Sequence, residues 1–175
     1  MSNFETIRSR EEIPQEDTWA LEDLYVSDEA WEQALSALMA RKDEVAAYAG
    51  KLGESGETLC AFLHLVEDMG SQMELLANYA TRKADQDTRN ATYQAMVGKL
   101  MGALTGVSAA FSFDTPEIMA IPEETLEGFY KACPDLERYR RYLNNERRRK
   151  AHTLTAAEER LLASAGEMAN APDTV

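Results

Sequence analysis

Histidine and cysteine are scarce in this sequence, two of each in 175 residues, and that scarcity removes most catalytic and metal chemistry at once. His64 continues as Leu65-Val66-Glu67-Asp68 and His152 as Thr153-Leu154-Thr155-Ala156. The helical zinc motif HExxH, two imidazoles one turn apart with a glutamate base between them, is therefore absent. Cys60 and Cys133 lie far apart with no CxxC spacing, which reads as free thiols in a reducing compartment rather than a disulfide framework. Glycine-rich phosphate loops and nucleophile elbows are missing too, since GxGxxG, GxxxxGK[ST] and GxSxG do not occur. Positive charge is in short supply: 18 Lys+Arg stand against 31 Asp+Glu, a formal net charge of -13. Such a surface repels phosphate backbones and anionic lipid, so neither nucleic acid nor a membrane surface is an expected partner. The opening residues carry no apolar targeting segment, and no later apolar run reads as long enough to span a bilayer. A cytoplasmic location is expected.

What remains is strongly helical. Apolar residues recur at three- and four-residue intervals with few β-branched clusters, which predicts an all-α fold, a bundle or array of about five to seven helices. Residues 1–18 are polar, contain Pro14, and read as an extended arm. Trp19, Leu21, Leu24 and Tyr25 follow as a cluster suited to burial, expected to pin that arm to the helices. Ser27 with Asp28 and Glu29 reads as a cap and acidic first turn for a helix to about Tyr48, its buried stripe being Trp31, Leu35, Leu38, Val45 and Tyr48. Gly50 and Gly53 offer ways to end it.

A second helix is predicted from about Glu57 to Lys83, burying Leu59, Phe62, Leu63, Val66, Met69, Met73 and Leu76. Asp85–Asn90 reads as a turn with Asp87 as cap to a third helix reaching Phe111. Gly98, Gly102 and Gly106 recur every four residues there, which places small surfaces where another helix could approach closely. Pro116, Pro122 and Pro134, each backed by acids, mark later helix starts. Thr155-Ala156-Ala157-Glu158 fits a capping box for a last helix to about Asn170.

Two constellations invite a functional reading. Cys60, His64 and Asp68, spaced four apart, line one side of the second helix and could offer a thiolate, an imidazole and a carboxylate to a metal. That side points away from the apolar stripe and no fourth ligand is evident in sequence, so scattered surface residues are the expectation. The tract from Arg138 to Lys150, interleaved with Tyr139 and Tyr142, could grip an acidic peptide or protein, although cations near a helix end in so acidic a chain are also expected to pair internally. No catalytic, cofactor-binding or metal residue is assigned.

Four ordered segments carry a family resemblance: TWALEDLYVSDEAWEQAL, ELLANYATRKADQDTRNATYQAM, AFSFDTPEIMAIPEETLEGFY and YRRYLNNERRRKAHTLTAAEERLLA. Together they resemble the N-terminal region of oligoendopeptidase F, a zinc metallopeptidase of the thimet-oligopeptidase-like family. The resemblance implies that residues 19–175 form the helical N-terminal domain of a larger peptidase, a piece that stops before the catalytic HExxH. It implies zinc in the intact enzyme but none in this piece, and a channel that admits short peptides. Partners implied are those peptides and the absent catalytic domain, with a dimer as one way to cover exposed apolar surface. The competing class is a stand-alone helical interaction module that uses the arginine-rich helix.

Overall fold

The structure, a computed structural model, describes residues 12–149. Among these residues there are seven α-helical segments and no strand, as the periodicity predicts: α1 (Asp28–Ala40), α2 (Lys42–Ala46), α3 (Gly56–Gln86), α4 (Ala91–Ala110), α5 (Asp114–Ala120), α6 (Glu123–Ala132) and α7 (Arg140–Arg149). Short 3-10 turns at Gln15–Asp17, Leu21–Asp23 and Pro134–Tyr139 lead into or join them. The capping box at Thr155 and the last helix lie outside the described residues.

Side-chain caps set the boundaries. Ser27 Oγ accepts the Ala30 N–H at 3.2 Å and starts α1, and Ser55 Oγ accepts the Thr58 N–H at 3.1 Å and starts α3. The helix foreseen as far as Tyr48 is interrupted at Arg41, whose N–H bonds the Leu38 carbonyl three residues back at 3.1 Å and so tightens the chain between α1 and α2. Gly50 then takes φ +79°, a left-handed turn open to glycine without steric cost. A non-local clamp fixes this turn: Glu117 of α5 accepts the Gly50 N–H at 2.6 Å and the Leu52 N–H at 3.3 Å.

Asp87, expected as the cap of the third helix, is instead the residue that closes α3, and Asn90 caps α4 by accepting the N–H groups of Thr92 and Tyr93. Asparagine reaches two free donors at once, whereas Asp87 spends its carboxylate on the Arg89 N–H within the turn. Pro122 precedes α6 as its cap residue, while Pro134 opens a 3-10 segment that turns into α7 only at Arg140.

The long α3 is the axis. It packs against α1, α4, α6 and the 134–139 segment, which explains why its stripe of Leu59, Phe62, Leu63, Met69 and Leu76 is buried, with Val66 and Met73 packed at the edge. Trp31 of α1 is fully buried against it, and its indole N–H donates to the Leu76 carbonyl at 2.9 Å, so the largest core side chain also satisfies its polar atom. Phe62 sits among Tyr48, Phe111 and Phe113 at ring separations of 5.5, 6.0 and 5.6 Å.

The N-terminal cluster divides in a way its sequence does not announce. Leu21 is buried and Leu24 and Tyr25 pack at the core edge, but Trp19 is 51% exposed. The 3-10 turn at 21–23 directs Leu21 inward and leaves Trp19 lying on the Arg82 guanidinium, 5.2 Å from its ring centre. The segment from Trp19 to Tyr25 is therefore held to the helices by Leu21 and by the edge contact of Tyr25 with Tyr79, not by burial of Trp19.

The glycine stripe of α4 also needs correction. A Cβ added at Gly98 or Gly102 would meet nothing within 4 Å, and only Gly106 faces a neighbour, the Met39 side chain of α1. The tight helix approach occurs elsewhere: at Gly56 an added Cβ would lie 2.8 Å from the Phe129 carbonyl oxygen of α6. The stretch Ala91–Ala120 is, contrary to expectation, long and apolar enough by length and composition to cross a bilayer. In this fold it is α4 and α5 with a turn between them, and Met96, Leu100, Ala103 and Val107 of α4 enter the core.

Candidate functional site

Chemistry-bearing side chains gather where the N-terminal third of α3 meets the 134–139 segment. Of the two histidines, His64 lies here and His152 lies outside the described residues. The sequence-predicted trio of Cys60, His64 and Asp68 is not assembled. Asp68 turns to Arg41 at 2.6 Å and to Gln72 at 3.0 Å, and these bonds hold its carboxyl below the usual range. Its place is taken by Asp135, which sequence reasoning missed: Asp135 Oδ2 stands 3.3 Å from His64 Nε2 and 4.0 Å from Cys60 Sγ, while Sγ and Nε2 are 3.7 Å apart.

Cys60 is buried rather than on the surface, because it sits one turn into α3 where Gly56 admits α6 and Cys133 closely. Burial first, and then a hydrogen bond with Cys133, push the Cys60 thiol up to about 11. It is a neutral thiol near neutrality, not an activated nucleophile. The Tyr139 ring packs on the His64 imidazole at 5.6 Å. Tyr139 in turn donates to Glu67 at 2.7 Å, its own phenol raised to about 12 by burial and by that bond.

The arginine-rich tract follows directly, and its first members are committed within the chain. Arg138 grips Glu67 through two bonds at 3.0 and 3.1 Å, Arg140 pairs with Glu127 at 2.5 Å and Glu137 at 2.7 Å, and Arg147 donates to the Ile121 carbonyl. Arg140 also covers the Tyr130 ring at 3.9 Å. Arg141 and Arg148 line a shallow groove of about 580 Å³ with Asn144 and Asn145.

No arrangement among the described residues combines a nucleophile, an oriented base and an oxyanion donor.

Comparison with known proteins places this frame. The family model described as oligopeptidase F matches residues 117–175. Oligopeptidase PepF of Bacillus subtilis is 33% identical over 159 residues, 91% of this chain and 24% of that protein. The plasmid oligoendopeptidase F of Lactococcus lactis is 32% identical over 94% of this chain and 28% of its own length. The crystal structure of oligoendopeptidase-F from Enterococcus faecium superposes with a TM-score of 0.67 at 31% identity, covering 83% of this chain and 29% of that one. A crystal structure from Chlamydophila abortus gives 0.77 at 26% identity over 95% of this chain. The chain thus spans about a quarter of the length of the relatives it matches. Sharing sequence over nearly its whole length with these proteins, and their helical frame as well, the chain belongs to the oligoendopeptidase F family and corresponds to its N-terminal region.

Proposed function

We propose that this chain is the substrate-gating helical part of a zinc-dependent oligoendopeptidase that hydrolyses short peptides, with the catalytic residues on sequence outside these 175 residues. The observation that carries the reading is coverage: relatives named as oligopeptidases match nearly all of this chain with about a quarter of their own length. Zinc chemistry belongs to the remaining part, since this sequence has no HExxH to hold the ion.

The surface supports the same reading. On the outer side of α4, Met101 is 51% exposed beside Gly98 and Gly102, whose outward positions touch nothing among the described residues. An outer side of small and apolar residues broken only by Gln94 and Thr105, with no charged residue among them, is expected where further protein packs. The alternative interaction module loses support because Arg138, Arg140 and Arg147 are already held by Glu67, Glu127, Glu137 and Ile121.

The test is to read the native gene past the codon for Val175. An HExxH with a further glutamate downstream is the expected result. A stop codon at that point would overturn the proposal and return attention to the groove at Arg141 and Arg148.

A further inference from the structure

We propose that Cys60, His64 and Asp135 form a three-ligand site for a borderline-soft divalent cation of the zinc class, with its fourth position open to water. The inference rests on local geometry and stands whether or not the peptidase reading holds.

Three donor atoms of the right kinds converge on one point. The Sγ, Nε2 and Oδ2 atoms make a triangle with sides of 3.7, 3.3 and 4.0 Å. Tetrahedral zinc, with bonds of about 2.3 Å to sulfur and about 2.0–2.2 Å to nitrogen and oxygen, separates its ligand atoms by about 3.4–3.6 Å. The triangle reaches that size by small side-chain rotations.

The same three residue types could form a catalytic relay, but the pattern is wrong for one. A relay uses both imidazole nitrogens, one facing the nucleophile and the other an orienting carboxylate. Here thiol and carboxylate both approach Nε2, and a single carboxylate oxygen, Oδ2, faces both other groups. Convergence on one nitrogen leaves a common point for a cation and no path for a proton relay.

The surroundings suit a built site. Cys60 and His64 are one turn apart on the rigid α3, so their donors are fixed relative to each other. Asp135 comes from the 3-10 segment, held to α3 by Arg138 and Tyr139, which both bond Glu67. The Tyr139 ring also fixes the His64 imidazole plane. His64 and Asp135 have side chains 45% and 64% exposed, which gives an ion from solvent a way in. Binding would replace the thiol proton of Cys60 by metal.

The experiment is a titration of the 175-residue chain, kept reduced with a phosphine, using Co²⁺ as the optical probe and Zn²⁺ as competitor. A 1:1 complex is expected, with a sulfur-to-cobalt charge-transfer band and four-coordinate visible absorption, both displaced by Zn²⁺. Cys60→Ser should abolish the charge-transfer band. His64→Ala should weaken binding beyond the 10–100-fold or so typical of an outer-shell partner, and Asp135→Asn should weaken it measurably, while Asp68→Asn should leave it unchanged. Circular dichroism of each variant separates loss of ligand from loss of fold. Absence of the band in folded wild-type chain, or its persistence in folded His64→Ala, would overturn the proposal. So would equal sensitivity to Asp68→Asn, because that carboxylate belongs to Arg41.

Discussion

The two sides of α3 are held by different physics. Against α1 and α4 it buries Trp31, Leu35, Leu38, Met96 and Leu100, with the contacts of Asp28 to Tyr79 and Lys83 and of Arg41 to Asp68 at the edge of that layer. Against α6 and the 134–139 segment the contact is narrower and edged with charge: Arg138 and Tyr139 on Glu67, and the Cys60–His64–Asp135 triangle. The first side derives its strength from area removed from water, the second from pairing that solvent weakens. Stability should therefore reside on the first side and adjustable chemistry on the second.

The largest expected break is Trp31→Ala. Complete burial and the lost bond to the Leu76 carbonyl put the cost at about 3–5 kcal/mol, read as a lower midpoint in urea unfolding. Leu21→Ala comes next, at about 2–4 kcal/mol for a buried leucine. Trp19→Ala, which removes an exposed ring from Arg82, should cost no more than about 1 kcal/mol. Reversal of that order would restore Trp19 as the anchor of the arm.

Glu117→Ala tests the clamp on the Gly50 turn. Two backbone donors lose their acceptor, an effect of about 1–3 kcal/mol, and hydrogen exchange at the Gly50 and Leu52 amides should quicken.

A pH experiment sharpens the comparison further. Burial raises the Asp28 carboxyl, but the hydrogen bonds from Lys83 and Tyr79, together with the Lys83 charge, outweigh it and leave the group below its ordinary 3.8. A lowered carboxyl contributes stability that is present above 3.8 and lost as pH falls through the lower folded value. Asp28→Asn should therefore flatten the acid limb of the stability curve and leave the shape near neutrality unchanged. The smallest effect belongs to Arg140→Ala, whose exposed pairs with Glu127 and Glu137 should leave the unfolding midpoint almost where it was.

The same division explains what could be read in advance. The buried stripe of α3, the Ser27 cap and the burial of Trp31 follow from helical periodicity and local capping, which are properties of neighbouring residues. The partner of His64 is not such a property. Asp135 lies 75 residues from Cys60, and no spacing along α3 could prefer it to Asp68, which has the helical register but spends its charge on Arg41. The Cys133-Pro134-Asp135 turn was a readable signal for a helix start, but not for which helix it would face. Trp19 departs from its expected burial for a related reason: aromatic size argues for burial, while the direction of a 3-10 turn decides which neighbour obtains it. The glycine repeat of α4 marked small surfaces correctly, yet only Gly106 among the three meets another helix within the described residues.

The proposed role of this helical frame is to gate chemistry carried elsewhere in the intact protein. The most direct measurement is cleavage of a short quenched fluorescent peptide, with added zinc, by the 175-residue chain and by the complete product of its gene. Cleavage by the complete product is expected, with none by the chain alone and sparing of a folded protein substrate. Turnover by the chain alone, or a complete product without peptidase activity, would contradict that role.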